Sequence, residues 1–143
     1  MQVKQIYSYS ELEKNEFPLL TMPIPAGFPS PADDFVDTKL DLNEYLIKHP
    51  AATFFVRVSG NSMIKAGIYS EDILIVDRSL DYHNGSIIIA VLNGELTVKR
   101  LKIDKKRIFL ISDNNLHKEI EVTEAENFRV WGVVTSVIHK IKQ

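Results

Sequence analysis

From residue 53 to residue 138 the chain is divided into seven short runs of β-branched and aromatic residues, separated by turn-forming residues. Asn93-Gly94 lies directly between two of these runs, and Asn84-Gly85 precedes another. An Asn-Gly pair in a two-residue loop favours a type I′ β-hairpin. Short strands joined by close turns predict an antiparallel, mostly β domain. The predicted strands are Thr53–Val58, Ile73–Val76, Ser86–Leu92, Glu95–Ile103, Ile108–Ser112, Ile120–Thr123 and Phe128–Ile138.

The first part of the chain has a different pattern. Five of the six prolines lie within residues 1–32, interleaved with apolar side chains. Prolines at this spacing exclude a continuous helix or a central strand and favour extended chain. We therefore predict an extended N-terminal arm over residues 1–40 and a β domain over residues 41–143. The apolar side chains of the arm favour docking on a surface of this chain or of a neighbour, and the alternative is a partly ordered terminus.

One short helix is predicted at the start of the β domain, from Asp41 to His49. Asp41 is a suitable N-cap, and Glu44 follows three residues later at capping-box spacing. Pro50 ends the helix, because proline disfavours the helical conformation in the residue before it.

Composition excludes several classes of function. The net charge of −2 gives no reason to expect strong binding to nucleic acid or to anionic membranes. The chain has no cysteine, which excludes disulfides, thiolate catalysis and zinc–thiolate sites. No apolar run approaches the roughly 20 residues that span a bilayer, so we expect a cytoplasmic protein. The four histidines are far apart and lack ligand spacing, so we expect no metal and no cofactor.

A basic run between residues 99 and 107 is the main candidate for contact with nucleic acid. Its composition suits phosphate binding, but strand ends and a turn at Asp104-Lys105-Lys106 explain it better, as solvated charges. We therefore expect no direct sequence-specific DNA binding. The run consists of Lys99, Arg100, Lys102, Lys105, Lys106 and Arg107.

Ser62 and Lys99 are the residues most suited to catalysis. A serine hydroxyl is a poor nucleophile near neutral pH and needs a base beside it. Lysine can be that base if desolvation or a neighbouring cation lowers its pKa. In a strand, Lys99 shares a face with Leu101 and Ile103, which predicts a partly buried position, whereas Arg100 lies on the opposite, wetter face. By themselves, however, these residues favour the ordinary interpretation, which is a solvated lysine and a polar loop.

The order of several motifs resembles the LexA/UmuD family of self-cleaving Ser–Lys peptidases. The resemblance covers nearly the whole chain from about Phe17, and its specificity lies in the combination of motifs. The matching segments are Ala26-Gly27-Phe28-Pro29-Ser30-Pro31-Ala32, Asp41-Leu42-Asn43-Glu44-Tyr45-Leu46-Ile47, Ser59-Gly60-Asn61-Ser62-Met63, Asp72-Ile73-Leu74-Ile75-Val76-Asp77, Gly94-Glu95-Leu96-Thr97-Val98-Lys99-Arg100-Leu101 and Trp131-Gly132-Val133-Val134.

The resemblance implies a role for each matching position. Ser62 corresponds to the nucleophile and Lys99 to the general base. Ala26-Gly27 corresponds to the cleaved bond, so that cleavage leaves residues 27–143. The backbone N–H groups of Ser62 and Asn61 correspond to the oxyanion site. Pro25 departs from the family pattern just before this bond, and we expect it to slow or redirect cleavage while stiffening the arm.

The same resemblance implies a biological setting. In it, a RecA–single-stranded-DNA filament promotes self-cleavage as part of the SOS response to DNA damage. The trimmed homodimer then joins a UmuC-type Y-family DNA polymerase for translesion synthesis. A repressor role is not expected, because only 26 Pro-broken residues precede the cleavage site. The alternative is a non-enzymatic β-domain adaptor, in which Ser62 and Lys99 never meet.

Overall fold

A computed structural model describes residues 1–9, 16–20, 36–123 and 127–143 of the chain. Within these ranges it contains ten strands, one short α-helix and two single-turn 3₁₀ helices. The mostly β, antiparallel class predicted from sequence is confirmed. The strands are β1 (Gln2–Ser8), β2 (Glu16–Leu20), β3 (Val36–Asp41), β4 (Thr53–Ser59), β5 (Ile73–Asp77), β6 (Ile87–Leu92), β7 (Glu95–Asp104), β8 (Arg107–Ile111), β9 (Glu119–Val122) and β10 (Arg129–Ile138).

The helix α1 spans Leu42–Leu46, and the 3₁₀ turns span Pro50–Ala52 and Ile64–Ala66. As predicted, the Asp41 carboxylate caps α1, accepting hydrogen bonds from the backbone N–H groups of Asn43 and Glu44 at 2.9 and 3.2 Å. The helix is shorter than the predicted Asp41–His49, because Ile47 already has extended φ and ψ angles of −113° and 105°. No helix in the described ranges is long and apolar enough to cross a membrane.

The chain forms two compact units. One unit contains residues 1–9 and 49–143, and the other contains residues 10–48. In the smaller unit β2 pairs antiparallel with β3, and α1 follows directly. Pro18 lies within β2, which is compatible with a two-stranded ribbon because each strand has a free edge that needs no N–H donor.

In the larger unit eight strands form one antiparallel sheet in the order β1-β4-β5-β10-β6-β7-β8-β9. Strand β1 also pairs with β7, through Gln2 and Thr97. It therefore joins both ends of a ring of six strands, and β8 and β9 extend from that ring. The turn between β6 and β7 has positive φ at both Asn93 (50°) and Gly94 (82°), as the type I′ hairpin requires.

Strands β6 and β7 are buried on both faces, because they pass between two hydrophobic clusters. Val98 of β7 and Ile89 of β6 belong to a first cluster, whereas Leu101 and Ile88 belong to a second. This explains the unbroken apolar run of β6, since a strand covered on both faces has no polar side to alternate with. Val98 is fully buried although it lies on the same face of β7 as Arg100, the face predicted to be the wetter one, which corrects that prediction for Val98.

Gly132 marks the closest approach between β10 and β5. A Cβ atom at this position would lie 2.5 Å from Val76 Cγ1 and 3.2 Å from Arg78 Cγ. The first distance is shorter than van der Waals contact, and Val76 is itself fully buried and cannot move aside freely. The glycine is therefore required by packing.

We expect Gly132→Ala to lower the free energy of unfolding by about 1–3 kcal/mol, the usual cost of overpacking a core. Thermal unfolding of both proteins measures the effect. Val137→Ala, at a partly exposed position on the same strand, is the matched control and should change the melting temperature much less. Equal melting temperatures for Gly132→Ala and the parent would contradict the packing argument.

Candidate active site

Ser62 lies in a sharp turn directly after β4. The strand ends at Ser59, and Gly60 reverses the chain with a φ of +101° that side chains rarely adopt. The Gly60 N–H donates to Ser70 Oγ at 3.1 Å, which fixes the turn from outside. On the inner side Met63 is fully buried in the first hydrophobic cluster. Ser62 therefore lies between the turn at Gly60 and the buried side chain of Met63. Ser62 itself remains partly exposed.

Lys99 lies in the middle of β7 and is partly buried. Its Nζ donates a hydrogen bond to Ser112 Oγ at 2.7 Å, and Ser112 is only 5% exposed. Burial lowers the pKa of Lys99 below its ordinary value, and the nearby Lys118 ammonium lowers it further. Both causes disfavour the charged form. Both therefore shift the pKa of Lys99 in the direction that a general base requires.

Asp113 ties the turn that carries Ser62 to the strand that carries Lys99. Its carboxylate accepts hydrogen bonds from Arg100 Nε at 3.1 Å and from Arg100 Nη2 at 2.8 Å. Its backbone N–H donates to Met63 Sδ at 3.4 Å, and its carbonyl accepts from the Lys65 N–H at 2.8 Å. Met63 follows Ser62 in the chain, and Arg100 follows Lys99. The two candidate residues are therefore brought to the same region of the fold.

The α-amino group of Met1 lies in this region. It donates a hydrogen bond to Ser62 Oγ at 2.6 Å. Burial lowers the pKa of this amino group to about 6, and the charge of Lys99 contributes to the shift. The Met1 amino group is thus hydrogen-bonded to Ser62 and close enough to Lys99 for the two charges to interact. In this arrangement Ser62 bonds to Met1, and Lys99 bonds to Ser112.

The other predicted site positions are Asn61, Ala26 and Gly27. Asn61 is exposed on the same turn, and the role of the Asn61 and Ser62 N–H groups as oxyanion donors stays a prediction. Pro25, Ala26 and Gly27 lie outside the described residues.

Three of the six cations of the basic run form ion pairs with carboxylates on neighbouring strands and loops. Besides the Arg100–Asp113 pair, Lys102 Nζ lies 2.8 Å from Glu119 Oε1, and Arg107 Nη2 lies 2.8 Å from Glu121 Oε2. These carboxylates offset part of the positive charge of the run.

Sequence reasoning missed Ser112, Asp113 and Met1 as neighbours of the site. The position of Ser112 could have been found from the turn predicted at Asp104-Lys105-Lys106, because a hairpin centred there fixes which residues of the two strands lie opposite each other. In the observed hairpin Asp104 pairs with Arg107 and Arg100 pairs with Ile111, and one further step places position 112 opposite position 99. No comparable local signal points to Met1, because its place depends on pairing between distant strands.

Comparison with known proteins identifies the family of this chain. The Peptidase S24-like family matches residues 18–135. The chain is 46% identical over 125 residues to the protein SamA of Salmonella typhimurium (strain LT2), covering 87% of this chain and 86% of SamA. It is 45% identical over 127 residues to the protein ImpA of Escherichia coli, covering 88% of this chain and 86% of ImpA. It is also similar to the LexA repressor of Stenotrophomonas maltophilia, with 36% identity over 115 residues, 80% of this chain and 54% of the repressor.

We expect Lys118→Gln to raise the pKa of Lys99, because it removes the nearby positive charge that disfavours the ammonium form. The titration can be followed by NMR of ¹³C-labelled lysine side chains in a Ser62→Ala background. Lys102→Gln is the matched control: it removes a lysine charge from the strand of Lys99, but that charge is already paired with Glu119. An unchanged Lys99 titration in Lys118→Gln would refute the electrostatic contribution of Lys118.

Proposed function

The chain belongs to the S24-like peptidase family, and on that premise we propose that it cleaves its own backbone between Ala26 and Gly27. Ser62 is the nucleophile and Lys99 is the general base. The observation that carries the proposal is the environment of Lys99, a partly buried lysine of lowered pKa tied through Asp113 to the turn of Ser62.

The proposed reaction uses only groups of the chain and one water molecule. Neutral Lys99 takes the proton of Ser62 as Ser62 Oγ attacks the carbonyl carbon of Ala26. The negative charge that develops on the carbonyl oxygen is stabilised by the N–H groups of Ser62 and Asn61. The Lys99 ammonium then gives its proton to the departing amine of Gly27. Water hydrolyses the ester between Ser62 and Ala26, and residues 27–143 are released.

Ser112 suits this reaction as the group that orients Lys99. A lysine side chain has a flexible four-carbon stem and loses considerable rotamer freedom when it is held in one position. The 2.7 Å hydrogen bond to the buried Ser112 hydroxyl restricts the position of Nζ. In the proposed reaction Lys99 exchanges this partner for Ser62.

The cellular role that we propose is SOS mutagenesis in the cytoplasm. The trimmed form acts as a homodimer and as the accessory subunit of a UmuC-type Y-family DNA polymerase in translesion synthesis, and a RecA–single-stranded-DNA filament promotes the cleavage. The support is the family match and the identity to SamA and ImpA over most of their lengths, together with the resemblance of the motifs to the LexA/UmuD family. A non-enzymatic adaptor remains the alternative.

Self-cleavage tests the peptidase part of the proposal. We expect purified protein to release residues 27–143, with a rate that increases as the pH rises towards the pKa of Lys99, because only the neutral amine accepts a proton. Ser62→Ala should abolish the product, and Lys99→Ala should slow it by about 10²–10⁴-fold. Mass spectrometry of the fragments gives both the bond and the rate.

Lys102→Ala is the matched control for Lys99→Ala, because it removes an ammonium from the same strand outside the site. Thermal unfolding of every variant shows whether the fold survives. Fragments from Ser62→Ala, a rate independent of pH, or equal effects of the two lysine substitutions would favour the adaptor.

The partners are tested separately. Adding RecA, single-stranded DNA and a nucleoside triphosphate should accelerate cleavage of the parent protein and leave Ser62→Ala intact. Purified residues 27–143 should sediment as a dimer and co-elute with a UmuC-type polymerase. Absence of co-elution for a correctly folded dimer would refute the accessory-subunit role without affecting the peptidase.

A further inference from the structure

Strand β1 fills a gap between two strands that border the candidate active site. On one side it pairs antiparallel with β4, from Gln2 opposite Ser59 to Ser8 opposite Phe54. On the other side Gln2 pairs with Thr97 of β7. Without β1, the edges of β4 and β7 would present unpaired backbone groups on either side of a slot one strand wide.

The first residue of this segment lies at the nucleophile itself. The Met1 carbonyl accepts hydrogen bonds from the Val98 N–H at 3.0 Å and from Thr97 Oγ1 at 2.8 Å. Its amino nitrogen lies 2.6 Å from Ser62 Oγ, and the residue is only 9% exposed. The turn of the nucleophile lies beside it, since a Cβ atom on Gly60 would be in ordinary van der Waals contact with Met1 Cα, at 3.7 Å.

A peptide that is to be cleaved needs the same space. Its carbonyl carbon must come to about 3–3.5 Å from Ser62 Oγ before the attack. Extended peptides commonly gain their affinity by pairing with an exposed sheet edge. In the observed structure the edge of β4 and the Val98 N–H are already paired, and the Met1 amino group occupies the position next to Ser62 Oγ. Two chain segments cannot occupy this position together.

We propose that residues 1–8 are an internal occupant of the peptide-binding groove and compete with the segment around Ala26-Gly27 for Ser62. This inference rests on the proposed self-cleavage and adds a step before it: β1 leaves the slot between β4 and β7, and the cleavage segment then enters. The observed rate is accordingly the intrinsic rate multiplied by the fraction of molecules in which β1 has left.

The contacts of β1 with the rest of the sheet show which substitution should release the strand. Val3 packs against the first hydrophobic cluster, whereas Ile6 is 40% exposed. The ion pair between Lys4 and Glu71 is largely exposed and adds little. Val3 is therefore the side chain that anchors the strand, and Ile6 is a neighbouring position where the same change leaves docking intact.

The experiment compares Val3→Asn with Ile6→Asn, which make the same apolar-to-amide change at a position packed against the first hydrophobic cluster and at an exposed position of β1. We expect Val3→Asn to accelerate self-cleavage by roughly tenfold if β1 occupies the groove most of the time, and Ile6→Asn to cleave at the parent rate. A chain lacking residues 1–8 is the second variant and should cleave at least as fast as Val3→Asn. Amide hydrogen exchange of residues 2–8, measured in a Lys99→Ala background that keeps the chain intact, reports docking independently of cleavage.

The outcomes separate this inference from the proposed function. Loss of amide protection in Val3→Asn together with faster Ser62-dependent cleavage supports it. If β1 is released in Val3→Asn and absent in the deletion, yet both variants cleave no faster than a cleaving parent, the inference is wrong and the peptidase stands. Unprotected amides in the parent would also overturn it. If no variant cleaves at all, the proposed function fails and the competition fails with it.

Discussion

The ion pair between Arg100 and Asp113 is the interaction on which the candidate site depends. It fixes the start of the loop after β8 against β7, next to Lys99. The backbone of Asp113 then holds the turn after β4 through Met63 and Lys65. Since residues 62 and 99 are far apart in sequence, neither local geometry nor strand propensity relates them. This polar junction does so, and it is only partly exposed, so that water weakens it less than a surface pair.

The chemistry of Lys99 follows from the way β7 is buried. A strand with one solvated face would place its lysine in water, but β7 lies between two hydrophobic clusters, with Val98 in one and Leu101 in the other. The ammonium is therefore partly desolvated, and burial is the larger cause of its lowered pKa. Ser112, the residue directly after β8, supplies a polar partner for the ammonium at this position.

Much of the fold was predictable because its signals are local. The seven strands after Pro50, the Asn93-Gly94 hairpin and the Asp41 cap each depend on a few adjacent residues, and each is observed. Strand β1 was missed because Gln2–Ser8 has no regular alternation and is mostly exposed. Its backbone pairs with β4 because β4 has an open edge, and that edge exists only after the rest of the sheet has formed.

The sequence by itself determined the β architecture, the family, and the face of β7 on which Lys99 lies, because strand parity and turn chemistry act over a few residues. Only the tertiary structure decided what each candidate residue touches. It places Lys99 on Ser112 and Ser62 on the amino group of Met1. These partners are set by which strand edges remain unpaired when the ring closes, and a free edge is a property of the assembled sheet rather than of any segment in it.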